Sequence, residues 1–172
     1  DKVINGESIQ VGDVLIGLGS TGLHTNGYTL ARKIVELSSD IGYHTQEDSL
    51  GTTIGEALLE SHRSYADAIR ALRDHDGVHG IAHITGGGLV GNTSRLLSDE
   101  LALDINWNAW EWPAIFTLMQ RLGDIETVEM RRTFNLGIGL VFAVSPDAQA
   151  EIQSRLSELG ETTWQVGTVI SK

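Results

Sequence analysis

The stretch LIGLGSTGLHTNGY, residues 15 to 28, decides how this chain folds. It places Gly17-x-Gly19-x-x-Gly22 directly after an apolar run, the spelling of a dinucleotide-binding turn, and then continues His-Thr-Asn-Gly. A nicotinamide or flavin site needs a helix that starts inside the motif, then a second apolar strand ending on an acidic residue roughly 20 positions on. Here Gly27 sits where that helix should already be established. The helical spacing of Leu30, Ala31, Ile34 and Val35 runs into Ser38-Ser39-Asp40 with no Val/Ile strand behind it. Glu36 and Asp40 stand at suitable distances, yet each falls at a solvated helix end. A need for positive φ angles explains the glycines alone. Five hydrogen-bonding side chains, Ser20, Thr21, His24, Thr25 and Asn26, point instead to a ligand contact at a strand-to-helix turn, with Asn26 also placed to cap the helix.

Working outward, KVINGESIQVGDVLIGL reads as a hairpin, with Val3-Ile4 and Ile9-x-Val11 joined at Asn5-Gly6, followed by the strand Val14-Leu15-Ile16. A start in mid-hairpin is expected of a piece cut from a longer protein. Residues 40 to 53 form a polar connection. Tyr65, Ala68, Ile69 and Leu72 mark an amphipathic helix, and Leu58-Leu59 belong to it or to a short helix before it. HGIAHI (79–84) reads as a strand, 89 to 97 as a helix and Leu101 to Ile105 as a strand. Pro113 opens a helix that ends at Gly123. Leu136, Ile138, Leu140, Phe142 and Val144 alternate strictly, with Gly137 and Gly139 leaving room on the opposite face. Ser145-Pro146 starts a last helix closed by Gly160, and Trp164 to Ile170 is the final strand. The order predicts an α+β fold, a mixed sheet with packed helices.

Composition narrows the function. The chain of 172 residues, 41% hydrophobic with mean hydropathy near zero, supplies one compact domain. No run approaches the ~18 apolar residues of a membrane span, and the N-terminus lacks the features of a secretory signal, so the expectation is a cytoplasmic protein with no membrane partner. The absence of cysteine removes disulfides, thiolate zinc sites and cysteine nucleophiles. Twelve Lys and Arg against 23 Asp and Glu give a net charge of −11, which argues against a nucleic-acid partner. A strong phosphate site would then need Mg²⁺ or cations from another polypeptide.

Three further stretches carry chemistry. In HITGGG, Thr85-Gly86-Gly87-Gly88 leaves successive N–H groups unshielded ahead of a helix, which suits an anion; neither this turn nor the first is followed by the Gly-Lys-Ser/Thr of a Walker loop. His75, His79 and His83 recur every four residues, but Gly77 and Gly80 break the helix that would align them, so no metal site is assigned. His83, beside the glycine turn, is a substrate contact instead. RRTFN, with Arg132, Thr133 and Asn135, is a basic pair with polar neighbours at the mouth of a strand, fit for an anion or an amide. Trp107, Trp110, Trp112 and Phe116 are packing residues, because no cations interleave them.

Taken together, GSTGLHTNGYTLARK, IAHITGGG and MRRTFNLGIGL resemble the C-terminal domain of the phosphoribosylformylglycinamidine cyclo-ligase (aminoimidazole ribonucleotide synthetase) family, in order and over essentially the whole chain. The resemblance implies a homodimeric two-domain enzyme of purine biosynthesis, a ligase whose N-terminal domain lies outside this chain and contributes most contacts to ATP and Mg²⁺. The implied reaction activates the formyl amide oxygen of formylglycinamidine ribonucleotide with the γ-phosphate of ATP, after which a nitrogen closes the imidazole ring. On the matched positions, Ser20, Thr21, Gly22, Asn26, Thr85, Gly86, Gly87, Gly88, Arg132, Thr133 and Asn135 bind substrate or phosphate. His24, ranked first because imidazole titrates near neutrality, or His83 transfers a proton. The family often has an aromatic residue where this chain has Arg131, which leaves the ligand-facing arginine open. Related readings are an ATP-dependent relative of the formylglycinamidine ribonucleotide amidotransferase or selenophosphate synthetase type, a nicotinamide-dinucleotide domain, and a freestanding anion-binding module. The isolated chain is expected to be inactive.

Overall fold

Strand β1 (Val14–Gly19) is the middle of a five-stranded sheet because the apolar run read as a strand is buried on both sides. In the computed structural model, which describes residues 4–172, the sheet order is β4-β6-β1-β7-β5, with β4 Val78–His83, β5 Leu101–Ile105, β6 Ile138–Val144 and β7 Thr163–Ser171. Val14 faces Val144 and Leu18 faces Leu140 across β1 and β6, while Ile81 faces Phe142 and Leu103 faces Val169 further out. The helices are α1 Tyr28–Leu37, α2 Ile54–Leu58, α3 Ala66–Leu72, α4 Gly88–Thr93, α5 Ala114–Gly123, α6 Thr127–Thr133 and α7 Gln149–Glu158. A two-stranded ladder, β2 Gln46–Glu47 with β3 Thr52–Thr53, folds the polar connection onto itself.

The α+β class stands, but every strand pair in the main sheet is antiparallel, so the sheet is not mixed. Helical crossovers do join strands of the same direction, β1 to β4 and β6 to β7. Each such pair is split by a strand of opposite direction, β6 in one case and β1 in the other. Alternate residues of β1 and β6 serve two cores. Val14, Ile16, Leu18, Leu140 and Phe142 meet Ala68, Leu72, Ile152 and Leu156 of α3 and α7. Leu15, Val141 and Ala143 meet Leu89, Trp110 and Val166 on the other face. A third core of Ile34, Phe116, Met119, Met130 and Phe134 holds α1, α5 and α6 together.

Several local expectations change. Val3 of the expected hairpin lies outside the described residues, and no strand precedes Val14 among the described ones. Asn5-Gly6 does turn, with Gly6 at φ 84, but residues 9 to 13 curl because the buried Asp13 carboxylate accepts the Gln10 N–H at 3.1 Å and lies 2.7 Å from His79 Nδ1. Pro113 is the N-cap of α5 rather than part of its first turn, while the helix does end at Gly123 as expected, with Asp124 as the left-handed C-cap at φ 47. Leu58 ends the separate helix α2. Helix α6 is new: the RRTFN segment, read as a turn entering a strand, is largely its last turn.

Candidate functional site

Both glycine turns leave the sheet at the same end, and a side chain ties them. Asn26 Oδ1 accepts the Gly86 N–H at 2.9 Å, while its Nδ2 donates to the His24 carbonyl at 2.8 Å. Asn26 is therefore a bridge between turns and not the cap of α1, whose N-cap is Gly27 at φ 73. A side chain at Gly27 would collide with the Phe134 ring. Gly17 and Gly19 belong to β1, and α1 begins only at Tyr28, so the dinucleotide reading fails on the position of the helix.

The first turn is closed by its own bonds. His24 and Thr25 are left-handed at φ 54 and 64, and Leu136 beside them at φ 53, a concentration of strain that non-glycine residues rarely carry. Buried Asn135 holds it: Nδ2 donates to the Gly22 carbonyl at 2.8 Å, and Oδ1 accepts from Ser20 Oγ at 3.0 Å and from the Gly137 N–H at 2.8 Å. Tyr65 Oη donates to the Gly19 carbonyl at 2.8 Å, and Arg63, paired with Glu161, reaches the same oxygen. Asn135 was expected to touch ligand; its carboxamide is instead consumed inside the scaffold. The one Ser20 hydroxyl proton is shared between the Gly22 carbonyl and Asn135 Oδ1, and Thr133 donates to Glu129 Oε1 at 2.9 Å within α6, so these hydroxyls are also engaged internally.

The second turn is open. Gly86 and Gly87 are exposed, and Gly87 at φ 105 caps α4. Of the three successive N–H groups, Gly86 donates to Asn26 and Gly88 to the Thr85 carbonyl at 3.1 Å, so among the described residues only that of Gly87 has no internal acceptor. Thr85 is fixed by Asn92, whose Nδ2 also donates to Gly88 and whose Oδ1 accepts from Thr85 Oγ1 at 2.9 Å. Gly88 packs under α6, where a Cβ would collide with the Arg131 carbonyl. A groove of about 500 Å³ opens beside Gly87 between α4 and α6, lined by Val90, Trp107, Val128, Arg131 and Arg132. Arg131 lies with its Cζ 4.2 Å above the Trp107 ring, whereas Arg132 is exposed. A cleft of about 490 Å³ around Tyr28, Tyr43 and Glu56 touches neither glycine turn.

Three histidines meet between the turns. His24 stacks on His62 with ring centroids 3.9 Å apart, and His62 Nε2 lies 3.0 Å from His83 Nε2. His62 was missed because nothing in ESHRSY distinguishes it; only the connection between α2 and α3 carries it there. His75 and His79 lie elsewhere, His75 3.5 Å from Glu151 and His79 on Asp13. Burial, then the neighbouring His62, His83 and Arg63, pushes His24 down to about 4, against the near-neutral titration expected of it. Burial and His62 also lower His83. Both shifts favour the neutral imidazole, the form that can bind a metal ion.

These features define a class: an α+β domain in which two turns, each between a strand and a helix, join at one sheet end beside a cationic groove. The family described as AIR synthase related protein, C-terminal domain, matches residues 10–172, and the chain belongs to it. It is 47% identical over 167 residues to the phosphoribosylformylglycinamidine cyclo-ligase of Desulfitobacterium hafniense (strain DSM 10664 / DCB-2), covering 97% of this chain and 48% of that protein. The chain spans about half the length of the curated relatives it matches. Among solved structures, the thiamine-monophosphate kinase of Stenotrophomonas maltophilia K279a aligns with a TM-score of 0.65 at 13% identity, covering 97% of this chain and 50% of that one. PurL of T. maritima complexed with AMPPCP aligns with a TM-score of 0.53 at 16% identity, covering 95% and 22%. These two likenesses speak to the fold alone.

Proposed function

We propose that the chain is the C-terminal domain of a phosphoribosylformylglycinamidine cyclo-ligase that acts in the cytoplasm as a homodimer, with a preceding domain supplying the rest of the site. The observation that supports it most is the Asn26–Gly86 bond, which sets the two turns side by side as a single site would require. The relative of that name, 47% identical across nearly the whole chain, supports the choice of reaction. In that reaction the amide oxygen of formylglycinamidine ribonucleotide takes the γ-phosphoryl group of ATP and ADP leaves. A nitrogen then attacks the activated carbon, and phosphate departs with the former amide oxygen.

The part assigned to this chain is electrostatic and protolytic. The free Gly87 N–H and the Arg132 guanidinium face the groove and hold oxygens that gain charge, while Arg131, on Trp107, frames it. His83, exposed at the end of β4, accepts the proton lost by the attacking nitrogen, in preference to buried His24. Mg²⁺ does not fit the residues of this chain. Among the described residues the one converging group of three or more candidate ligands is His24, His62 and His83, and Mg²⁺ takes oxygen. ATP and Mg²⁺ therefore fall mainly to the other domain, and related superfamily chemistry remains the second reading.

The test is phosphate release from Mg-ATP with formylglycinamidine ribonucleotide, measured on this chain alone and on the chain continuous with its preceding coding sequence. Substrate-dependent release by the longer protein only, lost in Arg132→Ala, is expected. Release by this chain alone, or none by the longer protein, overturns the assignment.

A further inference from the structure

We propose that His62, His83 and His24 form a binding site for a divalent transition cation of the zinc class, beyond the cyclo-ligase reading and independent of it. One ring nitrogen from each of the three lies within 4.8 Å of the others. The hydrogen bonds fix which nitrogens are available. His62 Nδ1 is 2.6 Å from the Arg63 carbonyl oxygen, which can only accept, so Nδ1 carries the proton and Nε2 presents a lone pair. That lone pair looks at His83 Nε2, 3.0 Å away. An ion at about 2.0–2.1 Å from both nitrogens would subtend an angle of about 91–97°, within the range of an octahedral or slightly closed tetrahedral complex.

His24 supplies the third ligand. Its Nε2 accepts the Thr21 N–H at 3.1 Å, which marks that nitrogen as unprotonated, and metal capture exchanges this bond for one to the ion. The opposite nitrogen, Nδ1, is buried with no partner. The Arg63 carbonyl holding the far nitrogen of His62 is the arrangement that metal-ligating imidazoles use to fix tautomer and ring orientation. All-nitrogen donors select zinc, nickel, cobalt or copper and reject magnesium and calcium. His62 and His83 are exposed, which leaves the ion a path in and water to complete its shell.

The experiment titrates the metal-stripped chain with Co²⁺, read by visible absorption, and with Zn²⁺, read by calorimetry. One ion per chain is expected, with affinity reduced more than about tenfold in His62→Ala and in His83→Ala. His75→Ala, away from the cluster, should bind as the parent does. Because His62 is exposed, its removal should leave the thermal melt unchanged, which separates ligand loss from misfolding. Failure to take up either ion at stoichiometric level, or equal affinity in His62→Ala, overturns the site. Neither outcome bears on ring closure, since no substrate is present. In the longer protein, an ion held by His83 blocks the nitrogen assigned to proton transfer, so Zn²⁺ should suppress turnover and chelation should restore it.

Discussion

The two glycine turns have the same local grammar, strand then glycines then helix, and opposite uses. In the turn at 19–27 the polar side chains are spent on the protein: Asn135 satisfies Gly22, Ser20 and Gly137, and His24 is buried. In the turn at 85–88 only Thr85 carries a side chain, two glycines are exposed and a groove with Arg132 opens beside them. The difference teaches that a run of hydrogen-bonding residues is as readily a brace as a binding site. What tells them apart is where the partners lie, and the barest part of the sequence is the part left open to a ligand.

The sharpest way to break that contrast lies inside the second turn. Gly88→Ala forces a Cβ onto the Arg131 carbonyl at φ 66 and should cost about 4 kcal/mol, whereas at Gly86 a Cβ meets nothing closer than Asn26 Oδ1 at 3.6 Å and should cost under about 1 kcal/mol. Urea melts of the two variants check this, and equal losses would mean that the turn is not anchored to α6. In the first turn, Asn135→Ala leaves the Gly137 N–H buried without its acceptor and the Gly22 carbonyl with Ser20 Oγ alone, for about 2 kcal/mol. Arg132→Ala, exposed, should leave the melt unchanged.

Acid should weaken the first turn and spare the second, which has no titrating side chain. His24 binds its proton only near pH 4 in the folded chain but near 6.5 when unfolded, so below 6.5 the unfolded state takes up protons that the native state refuses. The contribution is intact above about pH 6.5, falls as the pH falls, and by pH 4 amounts to a loss of up to about 3 kcal/mol. In metal-free buffer the difference in stability between the parent and His24→Gln should therefore change across that window and stay flat above it. A flat difference throughout would show that His24 is protonated as easily in the folded chain as outside it.

The sequence made the sheet legible because its strands are carried by local alternation, as in Ile138 to Val144, and helices such as α7 by an apolar stripe. It hid what depends on distant partners. Helix α6 buries only Met130 and leaves Val128 exposed, so it has no stripe to read. Antiparallel pairing came from strands inserted between the ends of each crossover, which no local pattern encodes. At the site, the proximity of the two turns followed from their equivalent positions after strands. The division of labour did not, since Asn135 reaches Gly22 across 113 residues and His62 reaches His83 across 21.

The smallest expected effect concerns the bridge itself. Asn26 touches both turns with different atoms, Oδ1 toward Gly86 and Nδ2 toward the His24 carbonyl, so two substitutions separate its roles. Asn26→Ala loses both bonds at a half-buried position and should cost about 1 kcal/mol, with faster hydrogen exchange at the Gly86 amide. Asn26→Asp keeps an acceptor and should preserve that amide's protection while freeing the His24 carbonyl. If Gly86 exchanges equally fast in both, the carboxamide oxygen is not what holds the second turn. If it is protected equally in both, the turns are held together by the packing of Gly88 under α6. In either case the first turn loses only the bond to the His24 carbonyl and should keep the bonds through Asn135, because none of those passes through Asn26 or the second turn.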